Sequence, residues 1–228
     1  MTGYPVERAG ALGDQVSDDL RRRIITRELP SDTLLVESKL AEQYDVSRGP
    51  VRDAIRTLVQ EGLVENRGRS ARVIGLHADD VDELFALRSA LEHMALDFST
   101  QGNRDELVAA LEEALEEMRD AVRQNDPQAF TRADMRFHSS FPRSAHMRRI
   151  HDMWSQFQRT IGDLLLVANL EHNDLEPSLR KHEQLAAMIT AGNDAAALAE
   201  LADHLNASRR RIRRDYAGAP DEDDLLIR

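Results

Sequence analysis

Four side chains in the C-terminal half of the chain have the chemistry of a divalent-metal site. Asp134 and His138 are four residues apart, so on a helix they share one face. His182 and His204 lie on two later predicted helices, and a helical bundle can bring such side chains together in its interior. These nitrogen and oxygen donors suit Zn²⁺, Ni²⁺, Mn²⁺ or Fe²⁺ without choosing among them. Because Asp-x-x-x-His is common on helices, spacing alone favours the simpler explanation, in which these residues are exposed or hydrogen-bonded.

A second group of side chains has the chemistry of DNA recognition. Arg48 and Arg52 are also four residues apart, on one face of a predicted helix whose N-cap is Ser47. Arg56 extends this face by one turn. An arginine fork donates either to guanine O6 and N7 together or to a phosphate. The alternative for any single arginine is that it only solvates its helix.

The apolar pattern of the N-terminal part predicts the elements that position these arginines. An amphipathic helix over residues 12–28 is followed by a very short strand at 33–36 and a helix over 37–44. Ser47 then begins the next helix, and Gly62 ends it. Two β-prone runs follow as a hairpin, and its glycine-containing tip can approach DNA closely. The tip contains Arg67, Gly68 and Arg69.

The predicted fold is mainly α-helical and has two domains. A helix, a helix-turn-helix and a hairpin form an N-terminal winged helix-turn-helix over residues 1–75. Every segment of residues 78–216 has helical periodicity, which predicts an all-helical bundle of about six helices. Residues 217–228 are expected to form an acidic, mobile tail. Pro142 is expected to interrupt the helical pattern, and Ser144 to cap the helix after it. The six predicted helices span 78–100, 104–124, 126–140, 144–169, 175–191 and 194–216.

The composition excludes several classes of protein. The 228 residues are 41% hydrophobic and 31% charged, as in a folded globular chain. No apolar stretch approaches the ~20 residues of a membrane-spanning helix, and the N-terminus has no export signal, so a cytoplasmic protein with no membrane partner is expected. The chain has no cysteine, which excludes disulfides, iron–sulfur clusters and thiol nucleophiles.

The net charge of −11 is unevenly distributed along the chain. Residues 1–75 hold 12 basic and 12 acidic side chains, which leaves 18 basic and 29 acidic ones for residues 76–228. A neutral N-terminal part with local arginine clusters is compatible with DNA binding through one patch. The run from Arg209 to Arg214 is interpreted as a solvated helix end, which the helix dipole favours, with a phosphate contact as the alternative.

Residues 14–75 resemble the GntR-type bacterial repressors. Val46–Ile55, with the sequence VSRGPVRDAI, and Glu61–Val64, with the sequence EGLV, match the family's signature VSR-x-PVR-x-A followed by EGLV. The resemblance implies that Arg48 and Arg52 read the operator and that the wing around Gly68 contacts DNA. Family members often carry an arginine after the glutamate of the first helix of the pair. This chain has Ser38 at that position, and Lys39 after it is the candidate contact.

Residues 78–214 resemble the FCD domain, the all-helical C-terminal domain of the FadR subfamily of GntR regulators. Metal-binding members carry Asp-x-x-x-His followed by two histidines on later helices. Asp134, His138, His182 and His204 fill all four positions. His182 is 44 positions after His138, and His204 is 22 positions after His182. The resemblance therefore implies that these four residues bind a divalent metal. The other histidines are interpreted as structural or exposed: His77, His93, His146, His151 and His172.

Arg88 is the candidate effector-binding residue. It lies in an apolar stretch of the first predicted helix of this half, four residues before Glu92, so its simplest role is a surface salt bridge. The FCD resemblance implies instead that Arg88 points into an effector cavity. Beside a metal, a guanidinium suits an anion, because the metal takes one carboxylate oxygen and the guanidinium binds the rest. The implied effector is a small organic acid.

These observations predict a transcriptional regulator, for which repression is the family's usual mode. It binds a palindromic double-stranded DNA operator as a homodimer, and an acid bound at the metal site changes its operator affinity. Two alternatives use the same aspartate and histidines: a metal-dependent enzyme of the hydrolase type and a metal sensor without an organic ligand. The sequence shows no further general base, nucleophile motif or glycine-rich phosphate loop that would favour the enzyme.

Overall fold

The structure is a computed structural model that describes residues 6–67, 70–171 and 174–216. The chain divides into two compact units, and the boundary lies between Leu76 and His77. Each unit has its own hydrophobic core. Several predicted features lie outside the described residues: Gly68, Arg69, His172 and the tail over residues 217–228.

The first unit combines three helices with a small antiparallel sheet. The strand order is β1-β3-β2, so the third strand pairs with both of the others. This arrangement is the predicted helix-turn-helix with its wing. The elements are α1 (Val6–Ile25), β1 (Leu34–Leu35), α2 (Glu37–Gln43), α3 (Arg48–Gln60), β2 (Val64–Arg67) and β3 (Ser70–Val73).

Local sequence explains where α3 begins and ends. Ser47 occupies the N-cap position with extended backbone, although its hydroxyl makes no capping hydrogen bond. Pro50 lies in the first turn, where its missing N–H costs little. Gly62 follows the helix with φ of 77°, a left-handed conformation that favours glycine. At this end Glu61 accepts two hydrogen bonds from the buried Arg21 of α1, at 2.7 and 2.8 Å. This ion pair fixes α1 against α3.

The first helix differs from its prediction at both ends. It spans Val6–Ile25 instead of residues 12–28. The helix ends before Pro30 because Arg27 already has a left-handed backbone, with φ of 61°. The apolar pattern therefore predicts that a helix is present here, but it does not predict the residues at which the helix begins and ends.

The described residues of the second unit form six helices, as predicted. They are α4 (Ala78–Gly102), α5 (Arg104–Gln124), α6 (Pro127–Ser144), α7 (Arg148–Leu170), α8 (Glu176–Thr190) and α9 (Asp194–Tyr216). Apolar side chains at helical spacing on α5, such as Leu107, Leu111 and Leu115, are buried against α6 and α8. The first helix of the unit packs against α6 and α9. None of the described helices is long and apolar enough to cross a membrane.

The interruption predicted at Pro142 does not occur. Helix α6 continues through Pro142 to Ser144, and Ser144 does not cap the next helix, which begins at Arg148. A proline so close to a helix end removes only one backbone hydrogen bond near the terminus. The hydroxyl of Ser99 on α4 also donates to the carbonyl of Phe141 at 3.0 Å, which supports the last turn.

Candidate metal centre and DNA-contacting residues

The four predicted metal ligands come from three helices of the second unit. Asp134 and His138 lie one turn apart on α6, His182 lies on α8 and His204 on α9. Asp134, His138 and His182 are buried, and His204 is half-buried. One ring nitrogen of each histidine lies within 4.8 Å of one from each of the other two. The fold thus brings together donors that are up to 70 residues apart in the sequence.

The distances between the donor atoms fit a single small cation. His138 Nε2 and His182 Nε2 are 3.3 Å apart. Asp134 Oδ1 lies 3.4 Å from the first and 3.6 Å from the second of these nitrogens. Donors placed ~2.0–2.1 Å from a tetrahedral ion are roughly 3.3–3.4 Å from one another. The donor set therefore fits a metal ion without rearrangement of these three side chains.

Hydrogen bonds on the far side of two rings determine which nitrogen of each neutral imidazole carries its proton. His182 Nδ1 lies 2.8 Å from the carbonyl oxygen of Ser178, which only accepts, so this nitrogen carries the proton. His138 Nδ1 likewise lies 2.6 Å from a carboxylate oxygen of Glu92 and donates to it. Both Nε2 lone pairs then face each other and Asp134 Oδ1, which has no hydrogen-bond partner among the described residues. A metal cation would accept lone pairs from all three of these atoms.

The electrostatics of the cluster favour neutral imidazoles and an ionised carboxylate. Burial lowers the pKa of His138. Burial lowers the pKa of His204 well below its usual value. Burial raises the pKa of Asp134, but neighbouring hydrogen-bond donors and cations, Arg88 among them, outweigh it and keep that pKa below its usual range. Neutral imidazoles and a carboxylate are the protonation states that bind metals.

Aromatic side chains of α6 hold two of the imidazoles in place. The ring of Phe137 meets the ring of His182 edge to face, with centroids 4.9 Å apart, and meets His138 at 5.5 Å. Phe141 packs edge-on against His138 at 6.0 Å. Both phenylalanines are fully buried. This rigid apolar wall limits the rotation of the imidazoles, which preorganises the donor set.

Arg88 forms a buried ion pair instead of the surface salt bridge considered from its spacing. The side chain is only 1% exposed, and its Nε donates to Glu92 at 2.6 Å. The guanidinium carbon lies 5.6 Å from the centroid of the Phe85 ring and 6.0 Å from that of Trp154. Arg88 Nη2 is buried and makes no hydrogen bond within the described part of the chain. One donor of this guanidinium is therefore available to a ligand.

The sequence suggested that the arginine run of α9 is solvated, but two of its members form ion pairs. Arg209 and Arg213 pair with Asp82 of α4, at 2.7 and 2.8 Å. These pairs join the last helix of the unit to its first.

Arg211 of the same run is a partly buried cation that the sequence analysis did not single out. Its Nη2 donates to Asn169 at 3.1 Å, while its Nε is buried and lacks a partner among the described residues. Burial lowers the pKa of Arg211, and the charge of Asp134 opposes that shift. The available sequence signal was its position seven residues, or two turns, after His204.

The other histidines serve different roles where they are described. His93 is half-buried, with ring nitrogens 2.8 and 3.1 Å from the carbonyl oxygens of Ser89 and Leu198. His146 and His151 are exposed, and His77 caps α4.

The arginines predicted to read DNA are exposed on α3 of the first unit. Arg48, Arg52 and Arg56 all face solvent. Arg52 donates twice to the carboxylate of Glu37 on α2, at 3.0 and 3.3 Å, and this hydrogen bonding lowers the pKa of Glu37. Arg56 forms a looser pair with Asp53 at 3.4 Å. The Glu37 pair holds the Arg52 guanidinium beside both helices of the helix-turn-helix.

The remaining candidate contacts of the first unit lie on α2, at the turn and in the wing. Ser47 and Lys39 are exposed. Arg67 is exposed at the end of β2, where it pairs with Glu65 at 2.9 Å.

Comparison with known protein families identifies both units. Residues 12–74 match the bacterial regulatory proteins of the gntR family, and residues 83–207 match the FCD domain. The chain belongs to the GntR family. It is 31% identical over 176 residues to the gluconate operon transcriptional repressor of Bacillus licheniformis, covering 75% of this chain and 72% of that protein.

Solved structures place this GntR regulator in the same fold. It matches E. coli McbR/YncC with a TM-score of 0.71 and 22% identity, over 90% of this chain and 98% of the other. It also matches the metal-free FCD domain of TM0439, with a TM-score of 0.52 and 18% identity, over 64% of this chain and 99% of that one. The winged helix-turn-helix with an FCD bundle is thus confirmed. The relatives are transcriptional regulators, so the comparisons give no support to the hydrolase alternative.

Proposed function

We propose that this GntR regulator is a repressor whose operator affinity is controlled by a small carboxylate bound at a metal ion in the FCD domain. The observation that carries the proposal is the buried contact of Asp134 Oδ1, His138 Nε2 and His182 Nε2 within 3.3–3.6 Å of one another. His204 is the fourth proposed ligand. Zn²⁺, Ni²⁺, Mn²⁺ and Fe²⁺ all accept such donors.

The effector is proposed to be an organic acid because two cationic side chains have buried N–H donors without a hydrogen-bond partner. Arg88 Nη2 and Arg211 Nε have no partner among the described residues, and the charges of both residues act on Asp134. The metal would bind one carboxylate oxygen, and the two guanidiniums would bind the remaining oxygens. A sugar acid such as gluconate, with one carboxylate and several hydroxyls, is the first candidate because a relative represses a gluconate operon.

We further propose that the regulator is a homodimer formed through α4. Leu87, Met94 and Phe98 lie seven and four residues apart on one face of this helix, and all three are exposed. The opposite face of α4 is buried against its own unit, so α4 carries apolar side chains on two faces. A group of exposed apolar side chains is a typical mark of a protein–protein interface. A second copy of α4 supplies that cover and creates the two-fold symmetry that a palindromic operator requires.

In this proposal each protomer reads one half of the operator. Arg48 and Arg52 contact bases in the major groove from the start of α3, and Arg56 contacts the backbone one turn on. The remaining proposed contacts are Lys39, Ser47, Arg67, Gly68 and Arg69.

Thermal unfolding in the presence of organic acids tests the effector part of the proposal. Gluconate, lactate, malonate and glycerol are added to the apo and the zinc-loaded protein. An acid should raise the Tm of the zinc-loaded protein only, since a ligand that binds the native state stabilises it by mass action, and neutral glycerol should not. Arg211→Gln should lose this shift, while the control Arg210→Gln, at an exposed position of the same run, keeps it. Equal Tm shifts with and without zinc would argue against a metal-bound carboxylate.

A further inference from the structure

Glu92 is a buried carboxylate that belongs to no proposed ligand set. It lies on α4, its side chain is 0% exposed, and each of its two oxygens has one strong partner. Oε2 accepts a hydrogen bond from His138 Nδ1 at 2.6 Å, and Oε1 accepts one from Arg88 Nε at 2.6 Å. One side chain thus contacts both a proposed metal ligand and the proposed anion-binding arginine.

Burying this carboxylate is costly unless both partners hold it. An ionised carboxylate that loses contact with water must be paired and hydrogen-bonded. Here both carboxylate oxygens are hydrogen-bonded, one to each partner. As an acceptor, Glu92 selects the His138 tautomer whose proton is on Nδ1.

We propose that Glu92 is a positioning residue that orients His138 for the metal and Arg88 for the anion. The inference rests on the metal site of the proposed function. By accepting the Nδ1 proton, Glu92 leaves the Nε2 lone pair of His138 directed at the donors of Asp134 and His182, and it makes that nitrogen a stronger ligand.

The same carboxylate holds one side of the Arg88 guanidinium. Glu92 pairs with Nε, and Nη2 makes no hydrogen bond among the described residues. An anion bound at Nη2 would attract the Arg88 guanidinium. Glu92 connects this guanidinium to His138 through one hydrogen bond to each. Glu92 therefore links Arg88, the proposed anion-binding group, to His138, a proposed metal ligand, by two hydrogen bonds of 2.6 Å.

Zinc affinity measured without any acid tests the first part of this role. The full-length protein competes with a chromophoric chelator for Zn²⁺ at pH 7.5. Glu92→Gln keeps the shape of the side chain and removes its charge, so the zinc Kd should rise by ~10–100-fold, as for other outer partners of metal-bound histidines. Glu83→Gln, an exposed position on the same helix, is the matched control and should leave the Kd unchanged. An unchanged Kd in Glu92→Gln would overturn the proposal.

The tautomer of His138 in the wild-type protein gives a second test, which does not depend on the folding of Glu92→Gln. In ¹⁵N-histidine-labelled, metal-free wild-type protein, the resonances of His138 are assigned by their loss in His138→Gln. The proton should be on Nδ1, and a proton on Nε2 would overturn the role of Glu92. A wild-type protein that binds no zinc would instead contradict the proposed metal site. Zinc binding that Glu92→Gln does not weaken would contradict only the inference about Glu92.

Discussion

Removal of the His182 imidazole should abolish the metal site while leaving the fold in place. This ring is fully buried on α8, and its Nε2 is 3.3 Å from His138 Nε2 and 3.6 Å from Asp134 Oδ1. His182→Ala removes a direct donor. The loss should therefore exceed the ~10–100-fold in affinity that loss of an outer partner costs.

The expected size of the effect follows from mass action. At a zinc concentration 100 times its Kd, the wild-type protein gains about 2.7 kcal/mol of stability. In a domain of this size that gain corresponds to a rise in Tm of roughly 5–11 °C. If His182→Ala weakens binding 100-fold, the same zinc concentration only equals the Kd. The gain then falls to about 0.4 kcal/mol, or roughly 1 °C.

Two measurements check this prediction. Elemental analysis after dialysis should find one divalent ion per chain in the wild type and none in His182→Ala. Calorimetry with and without zinc should show the Tm shift in the wild type alone, and the difference between scans cancels the cost of the cavity in the variant. The matched control is His146→Ala, an exposed histidine paired with Glu106, which should behave as the wild type. Equal metal content in wild type and His182→Ala would refute the site.

Three further predictions follow from the structure. Arg52→Ala should weaken operator binding by ~1–3 kcal/mol and relax the base preference at one position of each half-site. The control Arg22→Ala, at an exposed position of α1, should bind as the wild type does. Equal operator affinities of Arg52→Ala and the wild type in a footprint titration at fixed salt would reject the prediction. Met94→Glu should raise the dimer dissociation constant at least ~10-fold, about 1.4 kcal/mol, and sedimentation that finds unchanged association would exclude α4 as the interface. Burial lowers the pKa values of His138 and His204, so the unfolded chain binds more protons below about pH 6.5. The free energy of unfolding of the apo protein should therefore fall as the pH drops through that value, by up to ~1.4 kcal/mol per pH unit for each histidine; urea titrations that agree at pH 7.5 and 5.5 would contradict it.

The order and type of the helices could be predicted from the sequence because each helix of the bundle carries one apolar stripe. Helices α5 and α9 begin and end where their periodicity predicted, at Arg104–Gln124 and Asp194–Tyr216. The end of α6 could not be predicted in this way, since the Ser99 hydroxyl that supports its last turn comes from another helix. Local propensity does not include such a contact.

The candidate site was only partly predictable, for a similar reason. The spacing of Asp134 and His138 predicts that they share a face of α6, but it does not show which other side chains face them. Glu92 is indistinguishable in sequence from an exposed helical glutamate, although the structure buries it completely. Arg211 belongs to a run of arginines whose members pair with Asp82, face solvent or lie beside the donors, according to the face of α9 that each occupies. Burial of a charged residue depends on tertiary packing, which periodicity alone does not specify.

The most direct test of the central claim is the operator affinity of the zinc-loaded protein with and without an acid that binds it. The operator is selected from a random duplex pool, and the Kd is measured by fluorescence anisotropy at one fixed salt concentration. An acid that raises the Tm of the zinc-loaded protein should change the operator Kd by ~5–150-fold in the wild type and leave His182→Ala unaffected. If the acid binds the zinc-loaded protein but the operator Kd is the same with and without it, the account of effector control is wrong.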